Sequence, residues 1–405
     1  MTDTLIQGAP ASWTPTRAAG LARLAAFLPR AGRAYARDRN VDRGPADRAN
    51  VSALSPWIRR RLITEEEVLR AVLDRHGPQD AAMFIQEVFW RTYWKGWLER
   101  RADIFARYEA DRLALLSDVS ADEDLRARLS AASEGRTGIG CFDEWVGELL
   151  RYGWLHNHAR MWFASIWIFT LRLPWQLGAG FMFSHLLDAD PASNTLSWRW
   201  VAGLHTRGKH YLARADNIAL NTLGRFHPAG QLDERALPLS ETISGAPAVR
   251  LPPAKGPEER QLALLLHEED LHTESLGLTA DVIAIAGLRL PHSVDACAPC
   301  SRFADGALED GLMRAGEHYS APAQALAPGM IVSWARACGV REVVTAYAPI
   351  GRTASTLAEI RDELALVGIR LAEVRRPFDE RAWPHADAGF FRFRERIPEL
   401  LAAVR

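Results

Sequence analysis

Along this chain of 405 residues the spacing of apolar side chains changes once, and that change limits the fold more than any other feature. From Pro15 to about Arg225 apolar residues recur every three or four positions, as at Leu21, Leu24, Ala25 and Leu28, the period of a helix with one buried face. Alternating β-branched residues are scarce there, so residues 1–226 are expected to form an all-helical domain. Helix starts are visible at Ser55-Pro56, with proline at a first helical position, and at Thr64, where Thr-Glu-Glu-Glu supplies a capping box. Pro174 is expected to end a helix. From His227 to Glu259, Pro, Gly and Ser accumulate without a period, Gly245, Pro247, Pro252 and Pro253 among them, and residues 227–259 read as a linker.

Beyond the linker the apolar runs become short. Leu262 to Leu266, Val282 to Ala286, Val343 to Tyr347 and Ile369 to Val374 alternate with helical stretches at 322–338 and 353–366. This predicts a small doubly wound α/β domain with a mostly parallel sheet over 260–405. The expected fold class is therefore multidomain, α followed by α/β. No G-x-G-x-x-G follows the first run, so the usual dinucleotide fingerprint is missing.

Composition excludes a disordered or fibrous chain, at 48% hydrophobic and 24% charged. No apolar run reaches the roughly 20 residues that span a bilayer, and the start MTDTLIQGAPASW lacks the basic-then-apolar order of a secretory signal. A cytoplasmic monomer with no membrane partner is expected. Four cysteines do not make a disulfide framework, so thiols are expected. Cys297-x-x-Cys300, read as lying in a Pro/Ala loop, lacks further ligands for a metal, and none is expected. Lys and Arg exceed Asp and Glu by 33 to 28 over residues 1–255, while residues 256–405 hold 16 against 22. A phosphate-binding surface would belong to the first segment.

The most informative stretch runs from Thr137 to Trp200. It contains Thr137-Gly138 with Asp143, Gly153-Trp154-Leu155-His156-Asn157, Arg160-Met161, Ala164-Ser165, Trp175, Asp188-Ala189-Asp190, Asn194 and Trp198-x-Trp200. Upstream stand Tyr35, the segment Ser52-Ala53-Leu54-Ser55-Pro56, and Glu87-x-x-Trp90-Arg91. In this order and spacing the blocks closely resemble the flavin-binding core of the photolyase and cryptochrome family, over about residues 15–225.

The resemblance implies FAD as cofactor. Tyr35, Ser52, Leu54, Ser55 and Arg91 would lie on its binding side, with the serine segment at the pyrophosphate, although serines before a helix can equally be plain caps. Arg160 and Asp188 correspond to a buried ion pair beside the flavin ring, Asp190 to a group at the ring edge, and Asn194 to the amide facing flavin N5. Glu87, Trp90, Asn157, Met161 and Trp200 correspond to the set that receives a flipped-out pyrimidine dimer, the tryptophans as flat walls and the polar groups at the base edges.

The implied activity is light-driven repair of cyclobutane pyrimidine dimers in DNA by reduced FAD. A cryptochrome-type photoreceptor without repair is the alternative. Repair of (6-4) photoproducts is a third reading, disfavoured because that subgroup carries histidines where this chain has Asn157 and Met161. His158 departs from the family's arginine. Trp198 and Trp175 match the inner two members of a tryptophan relay, but residues 107–136 hold no tryptophan for the outer one, leaving Trp145, Trp162 or Trp167 as substitutes. The segments LALLLHEEDLHTESLGL and VREVVTAYAPIGRTASTLAEIRDELALVGIRL resemble parts of the family's antenna domain, here in permuted order, and imply a possible second chromophore.

Overall fold

The computed structural model describes residues 13–404 apart from 207, 242–247, 252–255 and 293–295. Gly245, Pro247, Pro252 and Pro253 of the Pro/Gly-rich segment, and the first residues, therefore lie outside the described residues. The first half is helical: α1 (Arg17–Phe27), α2 (Arg33–Asp38), α3 (Ser55–Arg59), α4 (Glu65–Asp80), α5 (Ala82–Glu99), α6 (Ala102–Ala121), α7 (Glu123–Ser133), α8 (Gly140–Tyr152), α9 (Asn157–Ser165), α10 (Trp175–His185), α11 (Pro191–Ala202) and α12 (Ala215–Asn221). At the start of α4 the Thr64 side chain accepts from the Glu67 backbone N–H while the Glu67 carboxylate accepts from that of Thr64, the reciprocal cap expected from the sequence.

Pro174 does not end a helix. The preceding one has already stopped after a π-helical turn, Ile166–Thr170, and Pro174 is the N-cap of α10. The physical reason is that proline lacks an N–H, which is harmless where a helix begins.

The second half is a parallel sheet of β1 (Gln261–Leu266), β2 (Asp281–Leu288), β3 (Ala323–Leu326), β4 (Glu342–Ala346) and β5 (Arg370–Val374), in the order β3-β2-β1-β4-β5. β1 is buried except at its first residue, and Leu264 pairs with Ile285 on one side and Val344 on the other. The helices of this half are α13 (Ala298–Tyr319), α14 (Ile331–Ala337), α15 (Arg352–Leu366), α16 (Pro377–Ala382), α17 (Phe390–Arg394) and α18 (Ile397–Ala402).

Two readings of this half are corrected. The stretch 322–338 is not all helix, because Ala323–Leu326 adds an edge strand before α14. Its alanines and glutamine carry no strand signature, so only pairing with β2 makes it one. Cys297-x-x-Cys300 is no loop but the cap and first turn of the 22-residue α13.

The last helices pack back on the first half. Phe378 and Phe393 approach Phe89 of α5, with ring centroids 5.7 and 6.2 Å away, and Trp383 crosses α5 at Gly96. A Cβ on Gly96 would come within 2.8 Å of the Trp383 Cα, so the crossing needs a residue without a side chain. One apolar core thus runs from α1 through α5 into β1 and α18, while a second, built around Trp145, Trp162, Trp167 and Trp198, lies inside α8–α11.

Candidate flavin and lesion site

The helix α3 is framed by two non-glycine residues in the left-handed region, Ala53 at φ 50° and Arg61 at φ 48°. Such backbone is costly and persists only where its surroundings impose it. Here Ala53 turns the serine segment: the Ser52 carbonyl accepts from Arg23 Nε at 2.7 Å, Leu54 is buried, and Ser55 Oγ accepts from Trp154 Nε1 at 3.1 Å. Trp154 carries the Arg48 guanidinium on its ring, 4.3 Å from the centroid, and Arg48 pairs with Glu148 at 2.6 Å. Burial pushes the Glu148 carboxyl up to about 7 against the pull of Arg48. Trp13 closes this side, 5.6 Å from Trp57 and 6.2 Å from Trp154. Arg48, Glu148 and Trp13 carried no sequence signal.

Arg160 Nη2 and Asp188 Oδ2 stand 2.9 Å apart, the ion pair expected from the sequence, and Arg160 Nε donates to the Leu155 carbonyl. Asp190 points elsewhere. Its Oδ1 accepts from the Ser193 backbone and caps α11, and its Oδ2 faces Arg91 at 3.1 Å and Lys95 at 3.4 Å. Burial alone would raise the Asp190 carboxyl, but Lys95, Arg91 and Arg59 hold it well below the usual carboxylate range. Asn194 donates to the Ala179 carbonyl at 2.9 Å. Tyr35 sits edge-on to Phe27 and Phe84 in the core.

Several buried polar atoms here have no hydrogen-bond partner among the described residues: Asp188 Oδ1, Nε and Nη1 of Arg48, and the indole nitrogen of Trp13. Buried polar groups are normally satisfied, so a set of orphans around one region points to a missing ligand. Two free guanidinium donors beside the serine segment suit a diphosphate. A free carboxylate oxygen beside Arg160 suits a ring N–H. The donor set fits FAD.

Residues that the resemblance assigns to a lesion, Glu87, Asn157, Met161 and Trp200, lie along one string of contacts, a collar. Glu87 pairs with Arg39 at 2.9 Å. The next residue, Asn40, accepts through its carbonyl from His158, whose other ring nitrogen lies 3.1 Å from the Tyr211 hydroxyl. Tyr211 stacks on Trp200 at 5.9 Å, and Asn157 and Met161, four residues apart on α9, share the face beside His158. His158 lies on Trp162, with centroids 4.0 Å apart. Burial lowers both imidazoles, His156 to about 4, so neither is a cation at neutral pH.

One face of Trp90 is covered. Phe390 of α17 stacks on it at 3.5 Å and 11°. The segment carrying Phe390 is tied down by Tyr93, which donates to the Ala388 carbonyl, and by Arg101, which donates to that of Asp387. Phe390 is 300 residues away in sequence, and nothing in its surroundings announced this contact.

Among the indoles, Trp198 is buried and its ring neighbours are Trp167 and Phe163, each 6.3 Å away. Trp175 instead stacks on Tyr108 at 5.4 Å. The corner between Trp198 and Trp167 is filled by Gly178, where a Cβ would meet both rings within 2.7 Å. Trp145 and Trp162 make a separate stacked pair.

The expectation of free thiols fails at one place. Cys297 and Cys300 are joined as a disulfide, whereas Cys141 and Cys338 are free. The reason is positional: a cap residue and the third residue of the same helix bring two sulfurs together with no loop to close.

Among the described residues no helix is long and apolar enough to cross a membrane. Residues 84–259 match the family model described as the FAD binding domain of DNA photolyase. The deoxyribodipyrimidine photo-lyase of Agrobacterium fabrum is 31% identical over 194 residues, covering 47% of this chain and 39% of that protein. Cryptochrome-1 of Arabidopsis thaliana is 26% identical over 242 residues, covering 56% of this chain and 33% of that protein. A solved class III photolyase from Agrobacterium tumefaciens superposes with a TM-score of 0.41 at 26% identity, over 52% of this chain and 43% of its own. The chain thus spans between a third and two fifths of these two curated relatives. Residues 84–259 are thus similar to the FAD binding domain of DNA photolyase, and the Arg160–Asp188 pair lies inside the matched stretch.

Proposed function

We propose that this protein splits cyclobutane pyrimidine dimers in DNA under blue light, with the collar of Glu87, Asn157, Met161 and Trp200 as the lesion site. The observation that carries this reading is the collar itself, in which a carboxyl, an amide and apolar walls surround neutral imidazoles. A cationic imidazole acid, which (6-4) chemistry would want, is not offered at neutral pH. When bound, FAD supplies light-driven donation of one electron.

The chain's own groups would do the rest. Burial raises the Glu87 carboxyl, with Arg39 opposing, and the partly exposed carboxyl is placed to hydrogen-bond a base edge. Asn157 can pair with either donors or acceptors on a base edge. Trp200, backed by Tyr211, gives a wall that need not move. Trp198, with Trp167 behind it, is the entry for electrons that restore the reduced cofactor. The net positive charge of residues 1–255 suits a phosphate backbone.

A photoreceptor role without repair is the second reading, and the stacking of Phe390 on Trp90 favours it. One experiment separates the two. Reduced protein is illuminated with a thymine-dimer oligonucleotide and the return of thymine absorbance followed, for the native chain and for Phe390→Leu. Restored absorbance in either supports a lesion site, with a gain in the variant expected if Phe390 must leave Trp90. No recovery in either, with flavin bound, would assign the chain to the photoreceptor reading.

A further inference from the structure

We propose that Cys297 and Cys300 form a reversible dithiol–disulfide centre that exchanges with small-molecule disulfides and thiols, separate from the flavin chemistry. The two sulfurs sit at the start of a 22-residue helix, Cys297 as the cap and Cys300 within the first turn, with Pro299 between them. The Cys300 backbone N–H points at the Cys297 sulfur, 3.1 Å away. A sulfur in that position is stabilised as a thiolate by the N–H and by the positive end of the helix. Cys297 is partly exposed, whereas Cys300 is 8% exposed. That is the arrangement of an attacking and a resolving thiol.

The surroundings add a second reason. The Cys297 sulfur lies 3.9 Å from the His185 carbonyl, and the Cys297 backbone N–H donates to the Ser184 carbonyl at 3.0 Å. As a disulfide the sulfur has no proton for the His185 carbonyl; as a thiol it can donate one. Both oxidation states therefore have polar partners in the same geometry, and opening the bond need not disturb α13. The pair closes no loop beyond two intervening residues, so it constrains the unfolded chain little compared with a long-range staple.

In the oxidative direction the Cys297 thiolate attacks one sulfur of a disulfide RS–SR. A Cys297–SR bond forms and one RS⁻ leaves. The Cys300 thiolate then attacks the Cys297 sulfur, the Cys297–Cys300 bond forms, and the second RS⁻ leaves. Two electrons pass from the dithiol to the small disulfide, and the two thiol protons end on the two released thiols. Excess RSH runs the sequence backwards.

The test uses the full chain carrying Cys338→Ser, which removes the other accessible thiol. Protein reduced with dithiothreitol, freed of it and given glutathione disulfide should regain the Cys297–Cys300 bond by peptide mass, with an unchanged circular dichroism spectrum. Adding Cys300→Ser should trap glutathione on Cys297; adding Cys297→Ser instead should leave Cys300 modified on the order of tenfold more slowly. A bond that dithiothreitol opens only when the protein unfolds would make the pair a structural staple and overturn the proposal. Equal trapping rates in the two serine variants would overturn it as well.

Discussion

Two regions of this protein use arginine and carboxylate in opposite ways. At the junction between the helical and α/β parts, three successive arginines are buried and each is paired, Arg61 with three carboxylates. Arg59 meets Glu269 through two bonds of 2.6 and 2.7 Å, Arg60 meets Glu268, and Arg61 meets Asp379, Asp270 and Glu65, while Arg376 adds a second fork on Asp270. At the collar, Glu87 has Arg39 as its cation, and the two side chains remain 30% and 24% exposed. The junction has its polar atoms largely matched within the protein and holds two parts together; the collar keeps its groups accessible. Asp188 and Asp190, two residues apart, divide along the same line. Asp190 is absorbed by Arg91 and Lys95, whereas Asp188 keeps one oxygen free beside Arg160.

The sharpest way to break this contrast is Arg61→Met. Removing the cation strands buried Asp379 and strips one partner from Asp270 and Glu65, which keep Arg376 and Arg91, and an uncompensated buried charge costs roughly 3–5 kcal/mol. Glu87→Gln removes a partly exposed pair and should cost less than about 1 kcal/mol. Urea midpoints for the two variants check both, and similar losses would erase the distinction drawn here.

Acid should strike next. Burial lowers His156 to about 4 and His205 to about 3, whereas the unfolded chain protonates both near about pH 6.5. Between those values the unfolded state binds more protons, so stability is full above about pH 6.5 and falls as the pH is lowered. From pH 7 to pH 5.5 the two histidines together should remove about 2 kcal/mol. Glu148, raised to about 7, protonates over the same range and offsets part of this loss, so the rings are followed individually by NMR titration; imidazoles of His156 and His205 that titrate near about pH 6.5 in the folded chain would refute the prediction.

A smaller effect than the acid loss is expected at the cofactor. Asp188→Ala should weaken FAD retention on the order of tenfold, by removing the free acceptor oxygen and the counter-charge of Arg160. Flavin released on dilution reports it, with circular dichroism as the check on folding. Retention equal to the native chain would show that the orphaned oxygen does not face the ring.

Much of the fold was legible because burial repeats with the period of the backbone. β1, β2, β4 and β5 each fall on an apolar run, and the cap at Thr64 uses residues three apart in the chain. β3 was not legible, since Ala323–Leu326 is made a strand by its neighbour β2. In the site, the Arg160–Asp188 pair followed from the resemblance of local blocks. The replacement of arginine by His158 was visible, but its anchoring by Asn40 and Tyr211 was not.

The sequence by itself determined most of the helical and extended segments and which blocks resemble an FAD binding domain, because both depend on residues close together in the chain. Tertiary structure alone decided that Phe390 covers Trp90, that Trp167 lies against Trp198, and that Asp190 joins the junction. The physical reason is that these contacts join residues or elements whose approach is set by packing of distant surfaces, and no local period or motif encodes which side chain of one surface meets which side chain of another.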